Sequence, residues 1–258
     1  MSLAQFAREY RWVRHAEGWG SSDPAYYRAL PYRDLTGRHE QVWRIRGRSY
    51  RTLVTTALEP LEHPSRSLRI LDLGAGNGWL AFRLSQRGHE VLAIDILDDA
   101  FDGLGALSTY APAVPVLIAE FDHLPLASAG FDVAIFNASL HYSIDYVATL
   151  TESLRVLQPR GTLVILDSPM YSDPTSGTRM VQEREARFLS TYGFASNALP
   201  SEHFLTHGRL TSVGRALGLS WRVHQPALDW RTRFERSIGA LRARREAARF
   251  PVIVGARL

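Results

Sequence analysis

Three glycines alternate with other residues in the run Asp72-Leu73-Gly74-Ala75-Gly76-Asn77-Gly78-Trp79. Glycine has no Cβ, so a loop this rich in it lets backbone amides approach a ligand closely at the end of a strand. Asp95, 21 residues after Gly74, closes a second apolar run. A carboxylate there is placed to accept hydrogen bonds from the two hydroxyls of a ribose. The pair therefore points to a ribose-bearing ligand. A dinucleotide loop of the form G-x-G-x-x-G needs its third glycine at position 79, where this chain has Trp79. An indole at that point obstructs the close approach of a pyrophosphate, which argues against a nicotinamide dinucleotide and a dehydrogenase.

Other chemistries are removed by composition. The chain has no cysteine, which excludes disulfides, thiolate metal sites and cysteine nucleophiles. All 30 basic residues are arginine, so a Walker-type phosphate lysine, a Schiff base and a lysine general base are excluded too. His203 and His207 stand four apart with Glu202 adjacent, but no helix is assured there, and no metal is expected. Arg44, Arg48 and Arg51 share one helix face, read as solvated or as a contact for a ligand carboxylate. The aromatics Tyr26, Tyr27, Tyr32, Trp43 and Tyr50 fit either a lid or ordinary packing.

Positioning the glycine loop and Asp95 requires an α/β sheet. From Leu68 onward, short apolar runs alternate with amphipathic stretches: LRILDLG, WLAFRLSQRG, EVLAID, DDAFDGLGALSTY, VPVLIAE. This reads β-α-β-α-β. FDVAIFNA, a helix near Asp145 to Leu157, and GTLVILDS bring the count to five strands with right-handed crossovers. After Asp167 about 50 residues interrupt the rhythm, too many for a simple connection, and predict an inserted cap over the active site. A strand in LGLSWRVHQPALDW, a helix over Ser237 to Arg249 and a strand in PVIVGARL complete a seven-stranded, mostly parallel sheet flanked by helices. The expected organisation is a single domain: an N-terminal helical cap over 1–60, with a last helix from His39 to Leu58; a ligand-binding core over 61–168; an inserted cap over 169–217; and C-terminal strands and helix over 218–258. No apolar run approaches the ~20 residues needed to span a bilayer, and no signal peptide is readable at the N-terminus. A cytoplasmic location is expected. The formal charge of +4 and pI near 9.6 speak to nonspecific attraction rather than to a nucleic-acid site.

The loop D-L-G-A-G-N-G, followed by an acidic end to the second strand, resembles the cofactor signature of class I, Rossmann-like S-adenosylmethionine-dependent methyltransferases. Further blocks extend the resemblance over roughly residues 68 to 168: Glu120 to Pro125, Phe131-Asp132-Val133-Ala134, Glu152 to Leu157, and Gln158-Pro159-Arg160-Gly161. The resemblance implies S-adenosyl-L-methionine as cofactor and S-adenosyl-L-homocysteine as product. It places Asp72, Gly74, Gly76 and Gly78 in the cofactor loop, the ribose on Asp95, Ile96 against the adenine, and the adenine edge at Glu120 and Phe121. Family members usually carry Asp where Glu120 stands, and Asp122 offers a second acid for the adenine amine. Asn137 falls near the methionine moiety and the transferring methyl.

Transfer from a sulfonium requires alignment and exclusion of water more than a strong base. If the acceptor is a hydroxyl, His141 is the expected catalytic base, since it follows the fourth strand at the catalytic end; Tyr142 and Asp145 are alternatives. The helical layer and the insertion suit a small-molecule acceptor. Methylation of RNA or DNA is the alternative, but nucleic acid is not expected: no RNA-binding module is recognisable, and Asn137-Ala138-Ser139-Leu140 lacks the Asn/Asp-Pro-Pro-aromatic motif of many nucleic-acid amino-methyltransferases. A non-methylating regulatory protein that binds the cofactor is a further alternative. The acceptor atom and the oligomeric state are not legible.

Overall fold

The computed structural model describes residues 3–194, 199–227 and 245–258. Helices α1 (Leu3–Ala16), α2 (Pro24–Ala29) and α3 (Glu40–Leu53) come first, α3 being prolonged by a π-helical turn at Val54–Leu58. The core follows as β1 (Arg69–Leu73), α4 (Trp79–Gln86), β2 (Glu90–Asp95), a 3-10 turn at Leu104–Thr109, β3 (Val116–Ile118), β4 (Phe131–Asn137), α5 (Tyr146–Val156) and β5 (Leu157–Leu166). β6 (Met170–Tyr171), α6 (Pro174–Tyr192), β7 (Leu205–Thr206), α7 (His207–Leu217), β8 (Leu219–His224) and β9 (Val252–Arg257) complete the chain.

Helix starts are set by local chemistry. Asp23 caps α2 through the Ala25 amide with Pro24 in the first turn, Asp145 caps α5 through the Val147 and Ala148 amides, and Asp173 caps α6 ahead of Pro174. Thr206 caps α7, and Gly218, at φ +64°, ends it in a left-handed conformation.

Seven strands form one sheet in the order β3-β2-β1-β4-β5-β9-β8, all seven in the runs read from the sequence. β1 pairs in parallel with β2 and β4, as do β2 with β3 and β4 with β5, while β9 runs antiparallel to both β5 and β8. Alternate residues of each central strand enter different cores. Ile70, Ala93, Val133, Ile135, Val164 and Val254 pack under α2, α3 and α4; Leu71, Leu73, Ile94, Ala134, Phe136 and Ile165 pack under α5 and α7. Burial on both faces is why these strands read as unbroken apolar runs.

Three expectations needed correction. The stretch 98–110, read as a helix, is a folded-back loop ending in the 3-10 turn. A Cβ on Gly103 would come within 2.5 Å of the Asp99 amide nitrogen, and one on Gly105 within 2.7 Å of the Asp98 carbonyl, an approach open only to glycine. The final part of the 169–217 segment is not cap: α7 returns to the sheet, where Leu210 and Val213 join Tyr146 and Leu150 and the Trp221 indole donates to the Leu210 carbonyl at 2.8 Å. Of the helix read over 237–249, residues 237–244 lie outside the described residues, and Arg245 to Arg249 are not helical; Arg249 instead exchanges two backbone hydrogen bonds with Met170.

Candidate active site

The strand order lays the carboxyl ends of five strands side by side, with neighbouring strands about 4.8 Å apart. In series these ends present Glu120 and Phe121 after β3, Asp95 on β2, the glycine loop after β1, Asn137 to Ser139 at β4, and Asp167 after β5. A cavity of about 1070 Å³, mouth included, runs along this edge. It lies where open α/β sheets bind ligands, beside the point at which strand order reverses between β1 and β4.

The glycines have separate duties. A Cβ on Gly74, at φ +76°, would sit 2.3 Å from the Cβ of Ser139, whose hydroxyl donates to the Leu73 carbonyl at 2.5 Å and ties β4 to β1. Gly76, at φ +53°, faces open space, its nearest atom being the Asp102 carbonyl oxygen at 3.8 Å. Gly78 packs against Leu107 at the start of α4. Gly74, Ala75 and Gly76 line the cavity, whereas Gly78 and the buried Asp72 stand behind its wall. Burial pushes the Asp72 carboxyl up to about 7, against the Ala81 amide, which favours the charged form.

Asp95 is 9% exposed and borders the cavity. One of its oxygens accepts the Gly76 amide at 2.8 Å and the other the Leu97 amide at 3.0 Å. Burial raises its pKa above the ordinary carboxylate value while these amides pull the other way. Ile96, Glu120, Phe121 and Asp122 continue the lining on the β3 side, with the Phe121 ring edge-on to Phe136 at 5.5 Å. Both acids weighed for an adenine amine are therefore on the cavity. Glu120, Asp122 and His123 bring one ligand atom each within 4.8 Å of one another, the kind of solvent-facing acidic cluster that is common without a metal.

On the β4 side Asn137 lines the cavity with its Oδ1 buried and without a hydrogen-bond partner among the described residues. Arg46 lines it too, and sequence reasoning missed it. Its guanidinium lies 4.7 Å from the Trp43 ring with no carboxylate at ion-pair distance among the described residues, and burial followed by nearby Arg14 lowers its pKa. Ser49, one turn further along α3, donates to Asp167 at 2.5 Å and fixes this helix over the sheet edge. Arg44 and Arg51 face solvent, and none of the Arg44, Arg48 and Arg51 trio lines the cavity.

The roof is α1. Leu3, Phe6, Tyr10 and Arg14 line the cavity from above, and Phe6, Tyr10 and Tyr142 form a mutual aromatic cluster with centroids 5.5 to 5.9 Å apart. Burial raises the Tyr10 phenol far above its ordinary pKa, so it stays protonated. Tyr26, Tyr27, Trp43 and Tyr50 pack in the core rather than form this roof, and Tyr32 is exposed.

His141 is not brought to the cavity. It is 7% exposed, with Nδ1 3.2 Å from the Ser168 hydroxyl and its ring 4.3 Å from Tyr142. Burial first, then His203, Arg184 and Arg46, pulls its pKa down to about 3. Tyr142 does line the cavity, and Asp145 is the α5 cap. His203 is buried and His207 exposed, so they do not act as a pair, and Glu202 is ion-paired to Arg209 at 2.7 Å.

Comparison with known proteins agrees with this architecture. The model of a methyltransferase domain family matches residues 71–165. Over this stretch the chain is similar to methyltransferase domains. An uncharacterized methyltransferase of Mycobacterium tuberculosis is 34% identical over 100 residues, covering 39% of this chain and 40% of that protein. A malonyl-[acyl-carrier protein] O-methyltransferase of Erwinia pyrifoliae is 31% identical over 109 residues, covering 40% and 39%. The match thus spans about two-fifths of the length of these curated relatives. Among solved structures, the YcgJ protein from Bacillus subtilis superposes with a TM-score of 0.59 at 16% identity over 82% of this chain and 98% of its own. A putative sarcosine dimethylglycine methyltransferase from Galdieria sulphuraria gives 0.56 at 16% identity over 96% and 97%. These two share the fold of the methyltransferase domain. No helix among the described residues is long and apolar enough to cross a membrane.

Proposed function

We propose that this chain transfers the methyl group of S-adenosylmethionine to a small-molecule acceptor. The carrying observation is the series of groups along one cavity: an arginine and a buried carbonyl oxygen that have no carboxylate or hydrogen-bond partner, respectively, among the described residues, then open glycine backbone, a buried carboxylate and two further acids. That series matches a ligand with a carboxylate and an ammonium at one end, a ribose diol in the middle and an aminopurine at the other. Arg46 would hold the carboxylate and Asn137 Oδ1 the ammonium; Gly74 and Gly76 would give their backbone to the methionine portion. Asp95 would take the ribose hydroxyls, with Ile96 and Phe121 on the adenine faces and Glu120 or Asp122 on its amine.

When bound, the cofactor supplies a methyl group already made electrophilic by a sulfonium, ready for in-line displacement by the acceptor. The chain's own work is then alignment and exclusion of water. The roof of Leu3, Phe6 and Tyr10 does the second. Tyr10, held protonated, serves as a hydrogen-bond donor to an acceptor rather than as its base. His141, neutral at any working pH and away from the cavity, supports Tyr142.

Calorimetric titration with S-adenosylmethionine, S-adenosylhomocysteine and NADH tests the reading, with Asp95→Ala as control. Binding of the first two but not the third, lost in the variant, is the expected result; NADH binding alone would refute it.

A further inference from the structure

A second cavity, about 580 Å³ with its mouth, lies between α1 and α6. It shares Phe6, Tyr10, Arg14 and Tyr142 with the first, so the aromatic cluster is a partition between two chambers. Val13, Phe188 and Phe194 make the remaining apolar lining. Glu9, Glu17 and Arg184 also reach it.

The charges in this chamber are unevenly matched. Arg14 turns onto Asp102 and lies 3.7 Å from the Trp19 ring, so its charge is answered on the cofactor side. Arg184 has Glu185 at 4.0 Å. Glu9 is held only by the neutral Gln5 amide at 2.8 Å, and Glu17 by the Trp19 indole at 2.9 Å; neither has a basic partner at ion-pair distance among the described residues. Two carboxylates served by neutral donors, beside several aromatic faces, suit a cation with an apolar body.

Resting on the reading of the first cavity as the methyl-transfer chamber, we propose that the second one binds the protonated amine end of the acceptor. The ammonium sits on Glu9, with Glu17 a second acid further along the same chamber; the apolar body lies against Phe188 and Val13, and the acceptor's other end passes the Phe6–Tyr10–Tyr142 partition to meet the methyl group. Carboxylate-bearing molecules are excluded by the same acids.

Calorimetry on the full chain, with and without saturating S-adenosylhomocysteine, compares three molecules of one skeleton at pH 7: 2-phenylethylamine, 2-phenylethanol and phenylacetate. The amine is expected to bind about tenfold or more tighter than the other two, the scale of one charge-assisted hydrogen bond. Glu9→Gln should bring the amine down to the level of the alcohol, and Phe188→Trp, which fills the chamber, should abolish amine binding, both with S-adenosylhomocysteine affinity unchanged. Phenylacetate binding as tightly as the amine, no binding of any of the three, or a preference that survives Glu9→Gln combined with Glu17→Gln would each overturn the proposal. A chain that binds the amine but not S-adenosylhomocysteine would instead overturn the reading of the first cavity.

Discussion

Arg46 shows what residue types in a row disclose and what they hide. Trp43, Gly47 and Tyr50 are the buried stripe of α3, and Arg46 falls on it, three residues after Trp43 and four before Tyr50. An arginine on the apolar face of a helix was the available signal, distinct from the face of Arg44, Arg48 and Arg51, of which Arg44 and Arg51 are exposed. Asp95 was legible because a strand-end acid at that interval from a glycine loop has a specific use, and the cavity has it in place. His141 could be singled out as a histidine in the turn that follows β4, but the direction of its side chain is set by Ser168 and Tyr142, which carry no spacing signal. The assigned roles separate by ligand. Arg46→Met should weaken S-adenosylhomocysteine binding by about 10- to 100-fold, the range for a charge-assisted contact. The same variant should bind 5′-methylthioadenosine, which lacks the amino-acid end, as the wild type does, while Asp95→Ala weakens both. Equal losses for the two ligands in Arg46→Met would place this arginine away from the carboxylate.

At the scale of elements, the seven strands were legible because each buried run has few alternatives once both faces are covered, and the helix caps at Asp145 and Asp173 follow from side-chain chemistry. An N-terminal helical cap over 1–60 was expected, but which of its helices covers the cavity was not legible. The roof's attachment is long-range: Arg14 pairs with Asp102, Arg11 with Asp98 at 2.7 Å, and His15 with Asp99 at 3.0 Å, all from α1 to the loop after β2. The exposed Arg11 pair contributes little, as surface pairs do, whereas the Arg14 pair is largely buried, with side chains 15% and 7% exposed. Removing one member of a buried pair leaves the other charge unanswered, at about 3–5 kcal/mol. That penalty can be relieved here by releasing α1. Asp102→Ala is therefore expected to speed tryptic cleavage within α1, at Arg8, Arg11 or Arg14, while the thermal transition of the sheet core moves little. Unchanged cleavage with a lowered core transition would show that α1 is integral to the core and not a separable roof.

For the molecule as a whole, the edge that gathers the site also gathers ionisable groups out of water, and they pull on stability in opposite senses. Asp72, Asp95 and Asp167 have pKa values raised by burial, so they gain protons on folding and favour the native state as pH falls. His141 and His203, lowered from 6.5 to about 3 and about 4, do the reverse. Between pH 6.5 and about 3 the unfolded chain protonates His141 while the folded chain keeps it neutral. The unfolded state then binds the extra proton, and the native state loses stability as pH drops through that window. Replacing His141 by Gln, which has no titration there, removes this one-proton dependence whatever fixed cost the substitution adds. Urea titrations at a series of pH values should give curves for the wild type and His141→Gln whose difference changes by about 1.4 kcal/mol per pH unit below 6.5 and is constant above it. The pH profile of methyl transfer should show no break belonging to His141 near neutrality. A constant stability difference across the window, together with a break near pH 6.5 that the variant abolishes, would return this histidine to the cavity as a titrating base.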